Sequence, residues 1–153
     1  MKVLVASDSH GDREALAAML RKEPTVRTVI FLGDGAAEAQ ALQTDNPACT
    51  WIIVNGNCDI RTDEPTLRLV TLGGAKLYLT HGHGERVKSS LLTLTYSALQ
   101  EECTAALYGH THVPRTDYRD GVLLFNPGSL ATSRTYGVLD IENGVVRSRI
   151  ETL

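Results

Sequence analysis

An α/β fold, with a mixed sheet or a pair of packed sheets and helices outside, is what this chain of 153 residues predicts. Three features carry that prediction. The first third alternates apolar strand-like runs with helix-like stretches, the middle holds two strand-like runs joined by a Gly-Gly pair, and the last third is strand after strand between short turn sequences. At this length folding buries roughly 68–70% of the unfolded chain's surface, enough for an apolar core without a disulfide or structural metal. One domain over residues 1–153 is the simplest organisation, and no repeat, linker or low-complexity tract argues for a split.

The elements follow in order. A buried strand over 3–7 runs through Asp8-Ser9-His10-Gly11 into a helix over Arg13–Lys22, where Leu16, Met19 and Leu20 recur at helical spacing. A second strand, 28–32, ends in Gly33-Asp34-Gly35 and is followed by an Ala-rich helix over 36–43. A third, 51–54, ends in Asn55-Gly56-Asn57-Cys58-Asp59. After a polar connector at 60–65, Leu67–Leu72 and Ala75–Thr80 read as a hairpin turning at Gly73-Gly74, and the second strand delivers His81. A helix is expected over 87–102, against the weak propensity of Thr93 and Thr95, and then a strand at 105–108 that delivers His110 and His112. Strands are expected at 113–118, 122–125, 136–141 and 145–150, and their short links, Asp120-Gly121, Asn126-Pro127-Gly128 and Asn143-Gly144, favour antiparallel hairpins.

Composition excludes several functions. A formal net charge of −3 and an aromatic content of 5% provide neither the basic face nor the stacking platform of a sequence-specific nucleic-acid binder. Cys49, Cys58 and Cys103 form no CxxC pair, and an odd cysteine count without a leader fits a reducing cytoplasm. The apolar run at the start is shorter than the ~7–15 residues of a signal peptide's core. No stretch approaches the ~20 apolar residues that span a bilayer, so a soluble chain with no membrane partner is expected. The sequence leaves oligomeric state, a homo-oligomer included, open.

The chemistry gathers at the strand ends. All five histidines fall in three short clusters, His10, His81 with His83, and His110 with His112, each directly after an apolar run. In open α/β sheets, functional groups meet at the carboxyl ends of strands. Here those ends carry Asp8, His10, Asp34, Asn57, His81, His110 and His112. Imidazole is the commonest metal ligand, and this set exceeds the four ligands of a closed zinc site, which suggests two metals sharing a carboxylate from Asp34 or Asp8. Asp8 and Asp34 also suit turns and helix caps, and Asn57 alone would read as a turn residue.

The ordered motifs Asp8-Ser9-His10, Gly33-Asp34, Gly56-Asn57-Cys58-Asp59, His81 and Gly109-His110-Thr111-His112 resemble those of the calcineurin-like metallophosphoesterases, and most closely the small YfcE-like phosphodiesterases, which also share Asn126-Pro127-Gly128-Ser129. The resemblance implies a compact four-layer α/β/β/α sandwich of two mixed sheets flanked by helices. It also implies one metal on Asp8, His10 and His112, a second on Asn57, His81 and His110, and Asp34 bridging. Manganese ranks first by family habit, with iron, nickel or zinc also suited to such ligands. The implied reaction is in-line hydrolysis of a small phosphodiester by a hydroxide held between the ions. Two divalent cations against two carboxylates leave positive charge that a hydroxide and a single diester charge would balance, whereas a dianionic monoester would overshoot.

Asn57, Cys58, Asp59 and His83 form the candidate catalytic set. Wider relatives carry His where this chain has Cys58, and a thiol is a poor acid for a leaving oxygen, which favours diesters or activated esters. Asp59 suits orienting a ligand rather than binding metal, and His83 suits a substrate contact, a partner of a ligand or a structural hydrogen bond. Arg134 is either a phosphate contact or a solvated surface residue. The alternatives in function are a nucleotide or phosphomonoester phosphatase and a non-catalytic protein-interaction scaffold on the same fold.

Overall fold

The computed structural model describes residues 1–153. Along the chain stand β1 (Lys2–Ala6), α1 (Arg13–Lys22), β2 (Thr28–Phe31), α2 (Ala36–Asp45), β3 (Thr50–Ile53), β4 (Leu67–Leu72) and β5 (Ala75–Thr80). They are followed by α3 (Leu92–Gln100), β6 (Ala105–Leu107), β7 (Arg115–Arg119), β8 (Val122–Asn126), β9 (Thr135–Glu142) and β10 (Val145–Thr152). One five-stranded sheet has the order β10-β9-β1-β2-β3 and the other the order β4-β5-β6-β8-β7.

Strand periodicity explains the layering, because alternate residues point to opposite faces. In the first sheet Leu4, Val29, Phe31 and Ile53 pack under Leu16 and Met19 of α1 and Ala39 and Leu42 of α2. The intervening Val3, Val5 and Ile30 meet Leu77, Leu79, Leu107 and Phe125 of the second sheet. On that sheet's far side Tyr78, Ala106 and Leu124 pack against Leu94 and Ala98 of α3. The result is the α/β/β/α sandwich, with central strands buried on both faces, as parallel strands require.

Strand direction then places the loops. β1, β2 and β3 are parallel neighbours in one sheet, and β5, β6 and β8 are parallel neighbours in the other. Their carboxyl ends gather at one rim, stitched by backbone bonds from Asp8 N to Gly33 O (2.9 Å), Gly109 N to His81 O (3.0 Å) and Leu130 N to Ser7 O (3.1 Å).

Two expectations change. β7 with β8 and β9 with β10 are the antiparallel hairpins anticipated, but Asn126-Pro127-Gly128 joins strands of different sheets. Asn126 Oδ1 accepts from Gly128 N–H (2.9 Å), closing a local turn that redirects the chain across the sandwich. The helix expected over 87–102 shortens to Leu92–Gln100. Arg86 takes a left-handed φ of 54°, Glu85 is drawn to Thr80 Oγ1 (2.9 Å), and Ser90 Oγ accepts from Leu92 N–H (3.0 Å), so the helix starts after these turns.

α2 begins at a glycine N-cap that has no capping side chain of its own. Asp59, from the loop after β3, supplies the carboxylate instead: Oδ1 accepts from Gly35 N–H (2.9 Å) and Ala36 N–H (3.0 Å), and Oδ2 from Asp34 N–H and Gly56 N–H (both 2.8 Å). An anion at a helix N-terminus is favoured by the helix dipole, and here it also ties two rim loops together. Asp59→Ala is expected to destabilise the fold by at least about 1.5–3 kcal/mol, the range of a single charge-assisted bond, with Asp59→Asn recovering part of the loss in urea denaturation. Leu79→Ala, between the sheets, is expected to cost about 2–5 kcal/mol in the same measurement.

Candidate metal centre

The rim residues sit on a contorted backbone. Asp8 (φ 54°), His10 (φ 43°), Asp34 (φ 56°), His110 (φ 69°) and His112 (φ 62°) all occupy the left-handed region. Few non-glycine residues do so, and clusters of them mark sites where surrounding structure enforces a geometry. Close backbone approach contributes: a Cβ on Gly33 would lie 2.8 Å from Gly56 Cα and 2.9 Å from His81 Nδ1, so only glycine lets these loops touch.

Asp8 is fully buried, and its Oδ2 accepts from Ser7 Oγ (2.7 Å) and His110 N–H (3.0 Å). Its Oδ1 lies 3.2 Å from His112 Nε2, 3.5 Å from His10 Nε2 and 3.8 Å from His81 Nε2. The Nε2 atoms of His10 and His112 are 3.1 Å apart. Asp34 reaches both sides of this cluster: Oδ1 accepts from Cys58 N–H (2.8 Å), while Oδ2 is 3.2 Å from His81 Nε2 and 3.8 Å from His10 Nε2. His81 Nδ1 lies 2.7 Å from Leu32 O, which fixes its N–H there and leaves Nε2 free to act as a ligand. The His110 ring centroid is 5.0 Å from that of His81.

Three overlapping groups therefore offer donor atoms within 4.8 Å of one another: Asp8, His10 and His112; Asp34, His81 and His110; and His10, Asp34 and Cys58. Asp8 Oδ1 and His81 Nε2 are buried without any hydrogen-bond partner. Such atoms are expensive to bury unpaired, and a divalent cation held among these donors would satisfy both. Electrostatics agree. Burial works to raise the Asp34 carboxyl, but the His81 ring and the Cys58 N–H outweigh it and hold the group well below the usual carboxylate range. Burial likewise opposes a charged His81, yet Asp34 and Asp8 raise its pKa. Burial, with His81 and Lys88 nearby, lowers His110 to about 4.

The remaining expected residues divide. Asn57 is exposed in the loop between Gly56, which packs on Asp34, and Cys58, whose Sγ is 3.5 Å from Asn57 Nδ2. The His83 ring stands 5.6 Å from His81 and 6.2 Å from His110, with its Nδ1 buried and unpaired. Asp59 binds backbone only, as described above. Arg134 donates to Asp12 Oδ2 (3.0 Å), the cap of α1, so it is committed to a structural ion pair. Asn126 Nδ2 donates to Gly109 O (3.0 Å) and Ser129 Oγ to Asp8 O (2.8 Å), so both support the loops that bear ligand-type residues.

Sequence reading missed Ser7, Glu38 and Thr132. Glu38 Oε2 accepts from Ser9 Oγ (3.0 Å) and Gly11 N–H (3.2 Å), and Thr132 Oγ1 is 3.2 Å from His112 Nδ1. Only Ser7, next to Asp8, carried any local signal. A cleft of about 360 Å³ opens beside His10, Asp34 and Cys58. No helix is long and apolar enough to cross a membrane.

Residues 1–144 match the calcineurin-like phosphoesterase superfamily domain. The chain is 34% identical to the probable metallophosphoesterase YsnB of Bacillus subtilis, over 97% of this chain and 89% of the relative. It is 29% identical to the phosphodiesterase YfcE of Escherichia coli K12, over 92% of this chain and 88% of the relative. Its fold superposes on a crystal structure from Streptococcus pneumoniae TIGR4, described as a predicted phosphoesterase, with a TM-score of 0.81 at 30% identity, over 99% of this chain and 88% of that one. With that match and these relatives, the chain belongs to the calcineurin-like phosphoesterase superfamily, in its small YfcE-like group, and is a metal-dependent phosphoesterase.

Proposed function

We propose that the protein hydrolyses a small-molecule phosphodiester at a two-cation centre. Asp8, His10 and His112 would hold one ion, Asn57, His81 and His110 the other, and Asp34 would be shared. The observation that carries this reading is the position of Asp34 Oδ2 near both His10 Nε2 and His81 Nε2, with buried, unpartnered Asp8 Oδ1 between the same imidazoles. Manganese is the favoured ion, and iron, nickel or zinc also suit mixed imidazole, carboxylate and amide ligation. Divalent cations bound there supply Lewis-acid activation of water and of phosphoryl oxygens.

The chain's own residues set the rest. Cys58 N–H and the Asp59-tied loop fix the Asp34 carboxylate, Leu32 O sets the His81 tautomer, and Ser7 and His110 N–H orient Asp8. Cys58 bears on leaving-group choice: it is exposed, and partial desolvation followed by the Asp34 charge pushes its thiol up, which makes it a poorer proton donor. That favours diesters whose leaving groups depart without assistance over monoesters of poor leaving groups. The cytoplasm is the proposed location, on the free cysteines.

Chelation is expected to abolish hydrolysis of bis(p-nitrophenyl) phosphate, and added manganese to restore it. Asp34→Ala and Asn57→Ala should each lower kcat by more than the roughly 10–100-fold typical of losing an outer partner, and each should retain less metal by elemental analysis. Near-native rates at limiting metal in either variant contradict the assignment. Cys58→His is expected to raise kcat/KM for phenyl phosphate, a monoester of a poor leaving group, relative to p-nitrophenyl phosphate by about ten-fold or more, since a placed general acid contributes roughly 10²–10⁴-fold. A native protein that already prefers the monoester overturns the diester reading.

A further inference from the structure

The cleft beside the metal-ligand cluster is lined by His10, Asp34 and Cys58, by Glu38 in the first turn of α2, and by the exposed Ile60 and Arg61. A phosphorus atom held against the cluster therefore directs one ester arm into this space. The chemistry of its walls is selective. Asp34 and Asp59 are already engaged by backbone N–H groups, and Glu38 spends Oε2 on Ser9 and Gly11. The second Glu38 oxygen accepts no hydrogen bond within the protein and borders the cleft, where it suits a hydroxyl donor and repels an anion. Arg61 is exposed and takes part in no ion pair of the molecule, although it lines a cleft otherwise rich in carboxylates. It is thus a cation left available in the lining. Ile60, 88% exposed, offers apolar contact beside it. The cleft's volume, about 360 Å³, is near the low end of the roughly 300–1,000 Å³ of ligand pockets and admits a short arm rather than a long chain.

Resting on the phosphodiesterase reading above, we propose that this cleft receives the arm of the diester that is not displaced. The arm is a short hydroxylated alcohol bearing its own anionic group. Its hydroxyl donates to Glu38, and its anion lies against the Arg61 guanidinium, whose planar fork matches carboxylate and phosphate.

The test uses manganese-loaded, full-length protein and p-nitrophenyl phosphodiesters that share one leaving group. The second alcohol is D-glycerate attached through its 3-oxygen, 3-hydroxypropionate as the analogue lacking the hydroxyl, or choline as a cationic arm. The glycerate diester is expected to exceed the choline diester in kcat/KM by about ten-fold or more, the equivalent of one charge-assisted contact, and to exceed the 3-hydroxypropionate diester as well. Arg61→Ala should collapse the glycerate-to-choline ratio towards unity and Arg61→Glu should invert it, while Arg147→Ala, exposed on β10, should leave it unchanged. Ratios within one variant are independent of how much of it is folded. Equal wild-type rates on the three arms, or Arg61→Ala lowering every arm alike, overturn the proposal. If bis(p-nitrophenyl) phosphate is hydrolysed but arm charge makes no difference, only the arm assignment fails. If no diester is hydrolysed, the phosphodiesterase reading fails with it.

Discussion

Everything at the site depends on two trios of parallel strands, one in each sheet, ending at the same edge of the sandwich. Parallel strands need crossover connections, so each turn at the opposite edge merely returns the chain, and each turn at this edge is free to carry chemistry. Packing Val3, Val5 and Ile30 against Leu77, Leu79 and Phe125 fixes the separation of the two trios. That separation sets the distance from Asp8 and Asp34 on one sheet to His81 and His110 on the other. A core contact between sheets is therefore also a constraint on the site, and Leu32, itself part of that core, reaches it directly through its carbonyl on His81.

Holding two buried carboxylates among four imidazoles costs stability unless each charge is answered. Asp34 is answered by His81 and the Cys58 N–H, so its folded pKa falls, and its stabilising contribution is present above the ordinary 3.8 and is lost as pH falls through the lower folded value. His81 runs the other way: its folded pKa is raised, so its contribution is full below the ordinary 6.5 and fades as pH rises through the folded value. His110, lowered to about 4, opposes folding as pH drops below its ordinary 6.5. These opposed slopes belong to a site arranged around charge rather than to a scaffold arranged for stability.

The sequence disclosed much of this because ligand-type residues follow directly on apolar runs, so Asp8, Asp34, His81 and His110 could be assigned to strand ends before any contact was known. It disclosed less where neighbours decide. Asn126-Pro127-Gly128 has the length of a hairpin turn, and only the different sheets of β8 and β9 reveal a crossing. Residues 87–91 have helical character in isolation, yet Arg86, Glu85 and Ser90 spend their backbone or side chains on turns. Asp59 as the cap of α2 and Glu38 behind Ser9 each act on residues far along the chain, and no periodicity or local motif encodes such pairings.

The left-handed backbone at Asp8, His10, Asp34, His110 and His112 has a thermodynamic corollary. Five residues held in a left-handed conformation are a cost that the folded chain carries. The apolar packing that offsets it lies in the strands and helices rather than among the donor side chains, unlike a zinc finger, where folding waits for the metal. Exchange of one ion for another is then governed by donor chemistry and supply rather than by refolding.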